Sequence, residues 1–300
     1  MLALESSYLR GSIPSLVTPF RGTAVDYDAY ATLVEVQVNN GSHGILVNGP
    51  AAEPASLTMD ERNRLVAVAA EAVAGRVTIV VATGAQSYAE TEALTRFAAD
   101  DPDVDALLIG TPLSHPPQRG LVSYYKALNA VHDKPWLISH MPSDAELDLT
   151  VETASAIDKA CPTFVGMNHA SADPVLVCDL MNEIGEDFRI FAGLEESSLP
   201  LMAVGACGVM NTIGNLCPRP LADMCEAVWD NDLLSARDVY RSLVEVNRAV
   251  TFDVNPIPIK YMMKRLGIIP GNEHRLPLVP ARTDLEKQLE SVLRSAGMIR

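Results

Sequence analysis

The sequence predicts one (β/α)8 barrel, residues 1–220, carrying a helical C-terminal extension, residues 221–300, as a single structural domain. Three observations predict it. Eight short runs rich in Val, Ile and Leu recur along the chain, and each is followed by a stretch of helical period. The runs are continuously apolar, as strands buried on both faces of a parallel sheet are. After the eighth unit about 80 residues remain, and they read as helices only. Eight successive strand–helix units close a barrel more naturally than they form an open sheet. The open alternative wants a Gly-rich phosphate turn after the first strand, and Pro19-Phe20-Arg21-Gly22 is not one.

Taken in order, Gly11 to Phe20 reads as the first strand, with a helix over Tyr27 to Asn39. His43 to Gly49 is the second, with a helix from Met59, and Val77 to Gly84 the third, with a helix near Ala89 to Ala99. Asp105 to Gly110, Pro135 to His140, Thr163 to His169, Phe188 to Gly193 and Cys207 to Thr212 supply the other five. The extension reads as helices over Pro220 to Trp229, Leu233 to Thr251, Ile257 to Arg265 and Thr283 to Ala296. Asn255-Pro256-Ile257-Pro258 marks a sharp entry into the third of these.

Composition narrows the partners. With 48% hydrophobic residues, 300 residues can build a large core. The net charge of −15 repels phosphate backbones and anionic lipids, so neither nucleic acid nor a membrane surface is expected. No apolar run reaches membrane-spanning length, and the N-terminal segment lacks the basic-then-apolar pattern of a secretory signal. The five cysteines have no C-x-x-C spacing, which fits small core residues in a reducing compartment. A cytoplasmic location follows as the expectation.

Several segments at strand ends resemble the dihydrodipicolinate synthase and N-acetylneuraminate lyase family. Gly11 to Phe20, G-x-I-P-x-L-V-T-P-F, is similar to that family's opening strand. Gly44-Ile45 to Gly49, Glu53 and Leu57 resemble its second strand and G-T-T-G-E loop. Gly205 to Val209 with Asn215 and Pro218 resembles its eighth strand, and Asn255-Pro256-x-Pro258-x-Lys260 with Leu266-Gly267 its C-terminal helices. The resemblance spans nearly the whole chain in order. It implies a lyase-type enzyme for a small oxo acid or carbonyl compound, assembled as a homotetramer or homodimer. Such enzymes condense a sixth-strand lysine with the substrate carbonyl, and the imine then serves as electron sink.

The motifs that carry that chemistry are altered. G-x-K-E-A-S stands here as Gly166-Met167-Asn168-His169-Ala170-Ser171, so Asn168 occupies the lysine position. Y-N-x-P stands as Ser139-His140-Met141-Pro142, and G-T-T-G-E as Gly49-Pro50-Ala51-Ala52-Glu53. Asp144 falls where some members carry a basic residue. An amide nitrogen cannot form an imine, and Lys126, Lys134, Lys159, Lys260, Lys264 and Lys287 all fall in helices or their flanks, away from the strand C-terminal ends.

The expected catalytic residues are therefore Asn168, Ser139, Glu53 and Glu195, with Asn168 orienting a carbonyl or oxyanion and a glutamate as base. Thr18, Asn48, Gly49, Ala51, His115, His140, Gly193 and Met210 are the expected substrate contacts. No cofactor and no metal are assigned. The alternative is a metal held by His140, His169 and Glu195. Alternation argues against it: if Ser139 and Asn168 point inward, His140 and His169 point toward the helices. The rival from another class is a non-catalytic paralogue that binds a small molecule or a related subunit, its pocket filled by Leu113, Pro50, Met141 and Met210.

Overall fold

The computed structural model describes residue 5 and residues 8–112, 114–145 and 147–300, the side chains of 144 and 145 excepted. Leu113 and the side chain of Asp144, both weighed above, lie outside the described residues. Eight parallel strands run Gly11–Ser12, Gly44–Val47, Thr78–Ala82, Ala106–Gly110, Trp136–His140, Phe164–His169, Arg189–Ala192 and Gly208–Val209. From the second to the eighth, each pairs with its neighbour in sequence, and the first pairs with the eighth through Gly11 and Gly208. A parallel bridge between Ser15 and Leu46 joins the first strand to the second and closes the barrel.

The first strand is shorter than its sequence suggests because Pro14 has no N–H to give. Its ladder continues around the gap: Ile13 N–H donates to Val209, Ser15 to Asn211 and Leu16 to Leu46. Along the strands the side chains divide by alternation, interrupted on the sixth strand by a register shift that leaves Val165 unpaired between Phe164 and Gly166. Leu46, Val80, Leu108, Leu137, Val165 and Phe191 fill the barrel interior. Ile45, Val81, Ile109, Ile138, Met167 and Ile190 pack outward under the helices. Both faces are apolar, which is why no strand shows a polar side in sequence.

The helices begin where short polar residues can cap them. Asp26, Ser87, Thr150 and Asp173 accept from first-turn amides, and Thr58 forms a capping box with Glu61. After the barrel come helices Pro218–Trp229, Leu233–Ala249, Ile257–Arg265 and Thr283–Ser295. In the third of these, seven successive residues from Ile257 to Met263 are buried. That burial carries Lys260 to the carbonyl of Thr18, just past the first strand. Among the described residues, no helix is long and apolar enough to cross a membrane.

Candidate active site

A cavity of about 440 Å³ opens beyond the C-terminal ends of the second to fifth strands. Its walls come from Asn48, Gly49 and Pro50, from Gly84 and Gly110, and from Thr111, Ser139 and Met141. The helix side adds Leu57, Met59 and Arg62. Two glycines make room for it: a Cβ on Gly84 would stand 3.2 Å from the Gly110 backbone.

Few polar groups line the cavity. Thr111 Oγ1 donates to the Ser139 carbonyl at 3.1 Å, and the Tyr125 hydroxyl reaches Thr111 Oγ1 at 3.4 Å. Asn48, in the left-handed region at φ 58°, donates through Nδ2 to the Arg62 carbonyl at 3.0 Å. The Arg62 guanidinium donates to the carbonyls of Gly84 (3.0 Å) and Ala82 (2.9 Å). Burial lowers its pKa to about 10, which leaves it charged at neutral pH. Sequence reasoning missed Arg62. The signal was there: residues 62, 65, 66, 69 and 73 form the buried stripe of their helix, and one of them is an arginine.

Asn168 and Ser139 are cross-strand partners. Ser139 lines the cavity; Asn168 does not. Asn168 is 3% exposed, donates through Nδ2 to the Met210 carbonyl at 3.1 Å, and leaves Oδ1 buried without a partner. Gly193 passes so close that a Cβ there would lie 2.9 Å from Oδ1. Asn168, Gly193 and Met210 thus form a closed group of their own.

Glu53 faces away from the cavity. Its Oε1 lies 2.8 Å from Lys260 Nζ and 3.0 Å from His274 Nδ1. Lys260 Nζ also donates to the carbonyls of Thr18, at 3.0 Å, and Glu273. Burial alone would raise the Glu53 carboxyl, but the His274 and Lys260 bonds hold it below the ordinary value. Burial lowers the Lys260 ammonium despite Glu53. The expectation that no lysine approaches the strand ends is corrected here. Lys260 does so, because its helix folds down onto the barrel mouth, and there it is engaged by a carboxylate and two carbonyls.

Glu195 is buried and does not line the cavity. Its Oε1 accepts from the amides of Thr212 (2.9 Å) and Ile213 (3.3 Å), and burial raises its pKa. Thr18 Oγ1 donates to the Ala52 carbonyl at 2.8 Å, and the Ala51 amide donates to Ser15 Oγ at 3.3 Å. Both fix the loop that follows the second strand. His115 is exposed at φ 51° and does not line the cavity.

His140 and His169 stack on the helix side, with ring centroids 5.2 Å apart and their Nδ1 atoms 3.0 Å apart. The Leu149 amide donates to His140 Nε2 at 3.2 Å. That bond leaves the His140 proton on Nδ1, which donates to His169 Nδ1. Burial and then the neighbouring His169 lower His140 to about 4, and burial lowers His169. Both rings are neutral at pH 7. Among the described residues, no three His, Cys, Asp or Glu side chains are grouped to hold a metal ion.

Residues 8–296 match the model of the dihydrodipicolinate synthetase family. The chain belongs to that family. It is 37% identical over 291 residues to 4-hydroxy-tetrahydrodipicolinate synthase of Thermus thermophilus, covering 97% of each chain. Dihydrodipicolinate synthase from Aquifex aeolicus has a solved structure that superposes with a TM-score of 0.92 at 30% identity, over 96% of this chain and 98% of that one. The chloride-inhibited dihydrodipicolinate synthase from Acinetobacter baumannii, complexed with pyruvate, superposes at 0.93 with 28% identity, over 97% and 100%. The family match and these superpositions agree with the barrel.

Proposed function

We propose that this family member is a lyase-type enzyme that holds a small oxo acid in the cavity without forming an imine. One observation carries the reading. Position 168 on the sixth strand is an asparagine bonded to a backbone carbonyl, and among the described residues no lysine lines the cavity. An amide nitrogen, delocalised into its carbonyl, is no nucleophile. Binding then falls to hydrogen bonds from Thr111, Ser139 and Asn48 and to the charge of Arg62. The Acinetobacter relative is described with pyruvate, itself a small oxo acid, which supports that substrate class. We also propose a cytoplasmic homodimer or homotetramer, with barrel and extension folding as one domain.

The test is covalent trapping. The protein is incubated with pyruvate and a panel of 2-oxo acids, reduced with borohydride, and weighed intact by mass spectrometry. No adduct is expected. A reduced adduct on any lysine overturns the imine-free mechanism. In parallel, NMR in deuterated water follows exchange of the C3 protons, which enolisation by the enzyme accelerates.

A second reading, a non-catalytic paralogue that binds the same ligand, is favoured by one feature of the cavity. Arg62 and Glu90 are its only titratable lining residues among those described, and Glu90 is exposed and bonded to Ser87. Neither Glu53 nor Glu195 reaches it. Binding without exchange or turnover selects this reading. The cavity is not packed shut by Pro50 and Met141, which stand in its wall.

A further inference from the structure

We propose that His140 and His169 form a proton-operated latch at the rim of the cavity. While both are neutral they hold residues 147–150 against the ends of the fifth and sixth strands, and proton uptake releases that segment. The latch operates whatever the cavity holds. The two histidines are cross-strand partners, each 1% exposed. Their hydrogen bonds form one directional row. The Leu149 amide donates to His140 Nε2 at 3.2 Å, so that nitrogen carries no proton. The single proton of neutral His140 is then on Nδ1, 3.0 Å from His169 Nδ1, which must accept it. The His169 proton falls on Nε2. The row has no room for another proton. On His140 Nε2 it would face the Leu149 N–H, and on His169 Nδ1 it would face the His140 N–H. Each case replaces a bond by two opposed donors in the interior, where an unmade hydrogen bond is costly.

The charges that face the pair do not reverse this. Asp148 acts on both rings, and Asp173, at the cap of the helix Pro174–Ile184, acts on His169. Both carboxylates favour the charged form, and burial outweighs them. At one end of the row, Leu149 is 4% exposed, and Thr150 caps the helix Val151–Ala160 by accepting from the Thr153 amide. Gln118 Nε2 adds a bond to the Asp148 carbonyl at 2.7 Å. At the other end, His140 stands between Ser139 and Met141, both in the cavity wall. The row therefore ties the cavity rim to the entry of the next helix. Once it opens, the imidazoles return to water and to an ordinary pKa of about 6.5. The open form binds more protons than the closed one. Below that pH, opening is favoured by up to about tenfold per pH unit for each histidine.

The rival is that the pair is core structure and comes apart only when the whole barrel does. Amide hydrogen exchange of the full-length protein separates the two, read from about pH 8 to about pH 5 and corrected for the intrinsic pH dependence of exchange. NMR of isotope-labelled histidine and methionine accompanies it. Protection of the Leu149 amide should fall at least about tenfold between about pH 6.5 and about pH 5. The Met141 methyl signal should shift over the same range, while protection in the strands Thr78–Ala82 and Ala106–Gly110 holds. At neutral pH the ring protons should sit on Nδ1 of His140 and Nε2 of His169. The double variant His140→Gln, His169→Gln should lose the pH dependence. If it does not fold, His169→Gln alone decides: with one histidine left, the fall should be shallower. Reversed ring protonation overturns the latch. So do histidines that titrate at the ordinary value while Leu149 stays protected, and a Met141 signal that does not move when Leu149 is released. Loss of protection in all strands together, or an unchanged pH dependence in the variants, selects the rival.

Discussion

Replacing Glu53 by glutamine should cost this protein a large part of its stability. The side chains of Lys260 and Glu53 are 0% and 1% exposed, and they meet at 2.8 Å. The variant keeps the shape of residue 53 and removes its charge. Lys260 is then left in the interior facing an amide and the carbonyls of Thr18 and Glu273, with no carboxylate in contact. Removing one partner of a buried pair costs about 3–5 kcal/mol, because the remaining ion is neither hydrated nor neutralised. The assay is urea unfolding at pH 7 and fixed protein concentration, followed by Trp136, which is fully buried between Tyr125 and Phe164. The midpoint should fall with the slope unchanged. The double variant Glu53→Gln with Lys260→Met should lose less than the sum of its parts by about 1–3 kcal/mol, since it removes the stranded charge as well. The folded Glu53 pKa lies below its ordinary value, so this stabilisation is complete above the unfolded pKa and is lost as pH falls through the folded one. The gap between wild type and Glu53→Gln should therefore narrow in acid. A single variant within about 1 kcal/mol of wild type, or strict additivity in the double, would refute the assignment of this pair as a charged, coupled unit.

Two further outcomes follow from the barrel. The His140–His169 pair has folded pKa values below those of the free side chains, His140 at about 4. The unfolded chain binds more protons below pH 6.5, so stability should fall from there toward pH 4 by up to about 1.4 kcal/mol per pH unit for each histidine. A His140→Gln, His169→Gln double variant should show a flatter pH profile of urea midpoints, and an unchanged slope counts against the neutral pair. At Gly166, a Cβ would stand 1.9 Å from the Arg189 carbonyl oxygen, a backbone atom of the next strand. Gly166→Ala should cost about 3 kcal/mol or more, or fail to give soluble protein; a thermal midpoint equal to wild type would contradict that spacing.

How far the sequence discloses this molecule depends on the range over which each feature is encoded. The eight strands are legible because each carries its own signal, a run of apolar residues facing core on both sides. The end of the first is less so, since Pro14 interrupts regular bonding in a way composition does not announce. Inward Ser139 and outward His140 follow from a period of two and need no tertiary information. Glu53 is different. Its partners lie 207 and 221 residues away, so no local pattern shows that its carboxylate is spoken for.

Yet part of that long-range pairing was inferable from the lysine's side. Lys260 sits among Ile257, Pro258, Ile259, Tyr261, Met262 and Met263, a run with no polar face to carry an ammonium into water. A charge there requires a counter-charge from another element, and the helix sits at the mouth of the barrel, where carboxylates at strand ends are few. The same reasoning applies to Arg62, a cation on the buried stripe of its helix, with one difference. Lys260 has found its carboxylate within the chain. Arg62 is bonded to two backbone carbonyls, and the carboxylate whose charge acts on it, Glu90, lines the same cavity without forming an ion pair with it.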